Sequence, residues 1–102
     1  MRKYKIVYSD QAISDLQSLA EYIIFTCKAP KTSKEYAEGI VKTINSLSFS
    51  ADSVALYNRK SLSKYGYNTR RINYKKMAII YTIHGNTVLI QRIVSGTIIT
   101  VL

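Results

Sequence analysis

The chain begins with a short alternating segment that predicts a β-strand. Apolar and polar residues alternate within Lys3–Tyr8, "KYKIVY", and residues that favour strands are frequent there. Either Ser9 or Asp10 can then accept a hydrogen bond from the free N–H groups of a first helical turn. We therefore expect a strand followed directly by a helix, which should end by Pro30 because proline interrupts helical hydrogen bonding.

Two amphipathic helices are predicted in the first half of the chain. The apolar stripe of the first helix has three- and four-residue spacing and comprises Ile13, Leu16, Ala20, Ile23 and Ile24. The stripe of the second helix comprises Ala37, Ile40, Val41, Ile44 and Leu47. The segment "TSKE" predicts that the second helix is capped by Thr32, with Glu35 completing a capping box. Both stripes should pack against a sheet.

The second half of the chain predicts a β-rich region. The pattern is weak over residues 48–64, where we expect a loop with one short strand near Val54–Tyr57. Three further strands are predicted, over residues 69–73, 77–83 and 87–94. The first two should be joined by a turn at Lys75 and Lys76, and the last two by a tight hairpin at "HGN", residues 84–86.

This order of elements defines the expected fold class. The chain lacks the alternation of strands and helices that would require a parallel sheet. We therefore predict a single α+β domain over residues 1–102, with two N-terminal helices packed on one face of a mainly antiparallel sheet.

Charge is distributed unevenly along the sequence. All six acidic residues lie in the first 52 positions, where seven basic residues leave a net charge of 7 − 6 = +1. From Ser53 onwards there are eight basic residues and no acidic one, which gives +8 and a total of +9. Such a positive field favours an anionic partner, which could be nucleic acid, an acidic protein segment or a membrane surface.

Candidate chemistry is sparse outside this basic region. The single cysteine, Cys27, allows no internal disulfide and fits a reducing compartment. The sequence offers no zinc-binding spacing, no phosphate-cradling glycine loop and no dinucleotide fingerprint, so we expect no metal and no cofactor. His84, in the predicted hairpin, is more typical of a polar turn residue than of a catalytic base. No segment has the apolar length of a signal peptide or membrane span, so we expect a cytoplasmic protein without a membrane partner.

The basic residues are interleaved with tyrosines, a composition that suits backbone phosphates and stacked bases or a protein interface. If residues 69–73 form a strand, Arg70 and Arg71 must point to opposite faces of the sheet. The candidate binding residues are Arg59, Lys64, Arg70, Arg71, Tyr74, Lys75, Lys76 and Arg92.

Three segments resemble the RelE/ParE superfamily of bacterial toxins from type II toxin–antitoxin, or plasmid stabilisation, modules. The first helix carries "AxxDLxxLxxYI" from Ala12 to Ile23, and the basic segment "TRRINYKK" precedes "AIIYTIHGNTVLIQRIV". The resemblance implies the α+β fold described above and an acidic cognate antitoxin as partner. It also implies a homodimer or a heterotetramer with the antitoxin as possible assemblies.

The resemblance implies two alternative mechanisms. RelE-like members cleave mRNA on the ribosome, with arginine and lysine residues on the phosphate and a further arginine and tyrosine after the last central strand. ParE-like members inhibit DNA gyrase. Because "TIITVL" follows Gly96 without arginine, histidine or tyrosine, we favour the ParE-like function.

The alternatives are an mRNA endoribonuclease and a non-toxic remnant that only binds antitoxin. In the endoribonuclease, Arg70 or Arg71, Lys76 and Arg92 would stabilise the scissile phosphate. Whether the protein is an enzyme therefore stays open at this point. We also expect the apolar run Thr97–Leu102 to be covered, by the core or by another chain.

Overall fold

The computed structural model describes residues 3–57, 60–66 and 68–96. Its longer elements are β1 (Lys5–Tyr8), α1 (Asp10–Glu21), α2 (Pro30–Ser50), β2 (Thr69–Tyr74), β3 (Met77–His84) and β4 (Thr87–Ser95). A π-helical turn, Tyr22–Thr26, follows α1, and 3₁₀ turns occupy Ala51–Ser53 and Lys60–Tyr65. The predicted run Thr97–Leu102 lies outside the described residues. No described helix combines the length and apolar character needed to cross a membrane.

The strands form a four-stranded sheet in the order β1-β4-β3-β2. Both predicted hairpins are confirmed: β2 pairs antiparallel with β3, and β3 pairs antiparallel with β4. Gly85 and Lys75 each adopt a positive φ in the connecting turns, of 62° and 53°. In contrast, β1 pairs parallel with β4, a non-local contact that local alternation does not predict.

The core lies on both faces of the central strands. On the face towards α2, the buried side chains of Ile40, Ile44 and Leu47 pack with those of Ile79, Tyr81 and Ile90. On the opposite face, which we call the outer face, the side chains of Leu62, Ala78, Ile80 and Val94 form a second buried cluster. Because both faces of β3 are covered, its sequence is a continuous apolar run rather than an alternating one.

Ser9 caps α1 as predicted, since its Oγ accepts a hydrogen bond from Ala12 N at 3.0 Å. The predicted cap of α2 at Thr32 is wrong. This helix begins two residues earlier, at Pro30, because proline is favoured in the first helical position, where no N–H is needed. Ser33, which follows Thr32, is buried within α2, and its Oγ donates to the carbonyl of Ala20 in α1 at 3.2 Å.

The buried face of α1 is rotated relative to the predicted stripe. Ile13 of α1 and Ile24 of the following π-helical turn are 45% and 36% exposed, whereas Ala12 is fully buried and Ile23 is buried as the stripe predicts. The cause is Asp15, which lies between the apolar positions and faces the sheet. Its carboxylate accepts from Ile93 N at 3.0 Å, next to the part of β4 that lies beyond the end of β1.

The short strand predicted near Val54–Tyr57 is also absent from the described structure. This segment forms an isolated bridge, between Leu56 and Arg70, and Tyr57 N donates to the carbonyl of Thr69 at 2.8 Å. One bridge and one main-chain hydrogen bond do not make the repeated pairing of a strand.

Candidate functional site

Arg70 and Arg71 lie on opposite faces of β2, as strand geometry predicts. Arg70 faces α2, and its Nη1 donates to the carbonyl of Val54 at 2.9 Å and to that of Ala51 at 3.3 Å. Its Nε is buried, and none of the described residues accepts a hydrogen bond from it. Arg70 therefore donates to carbonyl groups just beyond the C-terminus of α2, where a positive charge is favourable.

Arg71 lies on the outer face, and two neutral acceptors hold its guanidinium. Its Nε donates to Asn73 Oδ1 and its Nη1 to the Tyr57 hydroxyl, each at 2.9 Å. The guanidinium carbon is 5.3 Å from the centroid of the Tyr57 ring, within the range of a cation–π contact. A Cβ atom at Gly96 would lie 2.8 Å from Arg71 Nη2, so glycine leaves room for the guanidinium.

An open groove of about 480 Å³ lies beside Arg71. Its walls are Val54, Ala55, Leu56, Tyr57, Arg71 and Asn73. Leu56 is 46% exposed. The groove thus combines an apolar wall with a single guanidinium at the edge of the sheet.

Lys75 is held away from Arg71, over the first half of α2. Its Nζ is 5.4 Å from the ring centroid of Tyr36 and 5.6 Å from that of Tyr74. These two rings meet edge to face with centroids 5.3 Å apart. Gly39 makes this packing possible, because a Cβ atom there would overlap the Tyr74 hydroxyl oxygen. The neighbouring Lys76 is exposed.

Arg92 is engaged by Asp15 through both carboxylate oxygens. Its Nε lies 2.7 Å from Oδ2 and its Nη2 lies 3.0 Å from Oδ1. The Arg92 and Asp15 side chains are only 18% and 10% exposed. The hydrogen bond with Asp15 raises the pKa of the Arg92 guanidinium above its ordinary value, and a hydrogen bond with Tyr65 contributes in the same direction.

Arg71 and Arg92 share the outer face, but a buried cluster separates them. Both residues pair with Ile80 across the sheet. The 3₁₀ turn Lys60–Tyr65 places Leu62, which is 1% exposed, against Ile80. The fully buried Ile80 therefore lies between Arg71 and Arg92 in the sheet.

Three residues considered in the sequence analysis remain, namely Lys64, Arg59 and His84. Lys64 is exposed, with its Nζ 5.3 Å from the Tyr65 ring centroid. Arg59 lies outside the described residues. His84 is the exposed last residue of β3, where its Nε2 is 2.8 Å from Thr82 Oγ1.

Sequence reasoning missed Asp15 and Tyr57 as partners of the candidate arginines. Asp15 could have been found by its position, since it is the acidic residue that lies next to Leu16 within the apolar stripe of α1. Tyr57 carried no such signal, because its contact with Arg71 joins residues 14 positions apart in the sequence.

Comparisons with known proteins give one family and one fold. Residues 6–99 match the family model described as the ParE toxin of the type II toxin–antitoxin system parDE. A structure of the chromosomal ParDE toxin–antitoxin system from P. aeruginosa aligns with a TM-score of 0.73 and 16% identity, covering 91% of this chain and 96% of that one.

The toxin–antitoxin complex RelBE2 from Mycobacterium tuberculosis aligns with a TM-score of 0.56 and 20% identity, covering 91% of this chain and 98% of that one. A comparison with curated protein sequences finds no significant match. At these identities, the two structures establish a shared fold.

Proposed function

The chain belongs to the family of ParE toxins of type II toxin–antitoxin systems, and we propose that it acts by inhibiting DNA gyrase and is neutralised by an acidic antitoxin. Both partners belong to the bacterial cytoplasm, where we therefore propose that it acts. Within this proposal, Arg71, Lys75 and Lys76 are candidate binding residues.

The engagement of Arg92 by Asp15 is the observation that favours gyrase inhibition over mRNA cleavage. A ribonuclease of the alternative kind needs arginine groups that converge on one phosphate. Here Asp15 already neutralises Arg92, and Leu62 covers Ile80 between Arg92 and Arg71. Arg70 lies on the other face of the sheet. This arrangement supports a toxin that acts by binding.

The charge of the protein supports an acidic antitoxin. The net charge is +9, and the ion pair between Asp15 and Arg92 neutralises one of the fifteen lysine and arginine residues. This excess of positive charge favours an external acidic chain, because complementary charge accelerates association. The structures with the same fold are described as a ParDE toxin–antitoxin system and a RelBE2 toxin–antitoxin complex.

Induced expression in a bacterial host tests the proposed mechanism. DNA synthesis should stop and the DNA-damage response should begin while bulk mRNA stays intact, and the purified protein should inhibit supercoiling by purified gyrase. Co-expression of a small acidic protein encoded beside this chain should restore growth.

An Ile79→Asp variant provides the inactive control, because a charge at this fully buried position should prevent folding. Rapid codon-dependent mRNA cleavage on purified ribosomes would instead establish the endoribonuclease. A folded protein that affects neither process but still binds the acidic protein would establish the non-toxic remnant.

A further inference from the structure

We infer that Arg70 is a positioning residue for Arg71. Arg70 holds the main chain of the segment Val54–Tyr57, and this segment fixes the orientation of the Arg71 guanidinium through the Tyr57 hydroxyl. The inference rests on the proposed function in one respect, because the binding role of Arg71 belongs to that proposal. The link from Arg70 to Arg71 itself consists of contacts among the described residues.

The segment Val54–Tyr57 depends on individual contacts for its position. It belongs to no helix or strand. Ala55 and Leu56 are exposed, and the Val54 side chain is only partly buried against the core. A segment of this kind lacks the repeated hydrogen bonds of a ladder, so a single well-placed donor has a large influence on where it lies.

Arg70 supplies such a donor at the start of the segment. Its Nη1 donates to the Val54 carbonyl at 2.9 Å and to the Ala51 carbonyl at 3.3 Å. Ala51 is fully buried, and its carbonyl also accepts from the Tyr81 hydroxyl at 2.8 Å. The Val54 carbonyl is therefore the point at which Arg70 acts on the chain that follows.

Two further contacts extend this placement to Arg71. Leu56 forms its bridge with Arg70, and Tyr57 N donates to the Thr69 carbonyl at 2.8 Å, so Tyr57 lies at the edge of β2. Arg71 Nη1 then donates to the Tyr57 hydroxyl at 2.9 Å. Arg70 and Arg71 point to opposite faces of β2, and the segment connects them around the edge of the strand.

The orientation of Arg71 matters because a guanidinium that is already fixed loses less conformational freedom when a partner group binds to it. Asn73 Oδ1 accepts from its Nε and the Tyr57 hydroxyl accepts from its Nη1. Asn73 belongs to the same strand as Arg71, whereas Tyr57 belongs to the segment that Arg70 holds. Displacement of the segment would therefore remove the Tyr57 contact and leave the Asn73 contact in place.

Arg70→Met tests this link, because methionine keeps an apolar side chain on β2 but removes the donor to Val54. We expect the NMR order parameter of the Arg71 Nε–H bond, measured in the ¹⁵N-labelled full-length chain, to fall in this variant. It should fall by a similar amount in Tyr57→Phe. The double variant Arg70→Met/Tyr57→Phe should show little further change, since both substitutions remove the same contact of Arg71.

Inhibition of purified gyrase provides the functional measurement. The inhibitory concentration should rise about fivefold in Arg70→Met and in Tyr57→Phe, as for the loss of one hydrogen bond. In an Arg71→Gln background, Arg70→Met should add less than about a factor of two, because its effect passes through Arg71.

Tyr81→Phe is the matched control. It removes the other hydrogen bond to the Ala51 carbonyl, which lowers stability but leaves the bond from Arg70 to Val54 in place. It should leave the order parameter of Arg71 unchanged and the inhibitory concentration within about a factor of two. If Arg70→Met does not fold, Arg70→Gln replaces it, because the shorter glutamine side chain does not span the same distance.

Three results would overturn the inference. These are an unchanged order parameter of Arg71 in the Arg70 variant, additive effects of the Arg70 and Arg71 substitutions on inhibition, and equal behaviour of the Arg70 variant and Tyr81→Phe. The order parameter is measured without gyrase, so it decides the inference even if the protein fails to inhibit gyrase.

Discussion

Tyr81 shows how a single buried hydroxyl links the sheet to the end of α2. Its side chain is fully buried in β3, and its hydroxyl donates to the carbonyl of Ala51 at 2.8 Å. Burial raises the pKa of Tyr81 to about 12, with smaller and partly opposing effects from Arg70, Asp52 and Tyr4. The neutral phenol is therefore the form that the folded state stabilises.

This raised pKa predicts a loss of stability in alkaline solution. Below pH 10, the ordinary tyrosine pKa, the phenol is protonated in both the folded and unfolded states, and its stabilising effect is fully present. Above pH 10 the unfolded state loses the proton first, so the free energy of unfolding falls until the folded pKa of about 12 is passed. We expect a fall of up to about 3 kcal/mol, since each pKa unit corresponds to about 1.4 kcal/mol.

Urea unfolding at increasing pH would measure this fall. Tyr81→Phe is the control, because it removes the titrating group and should flatten this part of the pH dependence. Identical pH profiles for the two proteins would show that Tyr81 is not the group responsible.

At the scale of elements, Asp15 connects α1 to β4. Its carboxylate binds both the Arg92 guanidinium and the N–H of Ile93. β1 pairs with β4 only as far as Ile90, so Asp15 supplies an acceptor to an N–H group beyond the end of that pairing. Asp15 therefore forms an ion pair with Arg92 and also accepts a hydrogen bond from the main chain of β4.

Asp15→Asn should destabilise the protein by about 3 kcal/mol, because it leaves Arg92 without a counter-charge in a mostly buried position. Chemical unfolding would measure the change. The matched control is Asp10→Asn in the same helix, at an exposed position, which should cost under about 1 kcal/mol. Equal effects of the two substitutions would contradict the assigned role of Asp15.

At the scale of the whole molecule, positive charge is concentrated in the second half of the sequence without local neutralisation. The +8 carried by residues from Ser53 onwards includes Arg92, which Asp15 neutralises. Arg70 and Arg71 instead use neutral acceptors. Repulsion among these cations opposes the compact state.

Added salt should therefore stabilise the isolated protein. Raising NaCl from about 0.02 M to about 0.3 M shortens the screening length to below about 10 Å, and we expect Tm to rise by several degrees. The Lys75→Gln/Lys76→Gln variant has less repulsion to screen, so its Tm should rise less. A Tm that is independent of salt in both proteins would rule out net self-repulsion.

The sequence by itself determined the parts of this protein that depend on neighbouring residues. Alternation and turn residues predicted both hairpins, helical spacing predicted α2, and the Ser9 cap followed from its side chain. These features are local, because each depends on hydrogen bonds or side-chain directions within a few residues. The opposite orientations of Arg70 and Arg71 also follow from the geometry of one strand.

The tertiary structure decided the features that depend on residues distant in the chain. The parallel pairing of β1 with β4 joins segments about 80 residues apart, and the buried face of α1 was set by the contact of Asp15 with Arg92 across 77 positions. Contacts with distant residues also give the candidate arginines different binding partners. Asp15 neutralises Arg92 and main-chain carbonyls hold Arg70, whereas Arg71 keeps a charge without a carboxylate partner among the described residues. The composition does not distinguish these arginines, because the groups that each one contacts are determined by the fold.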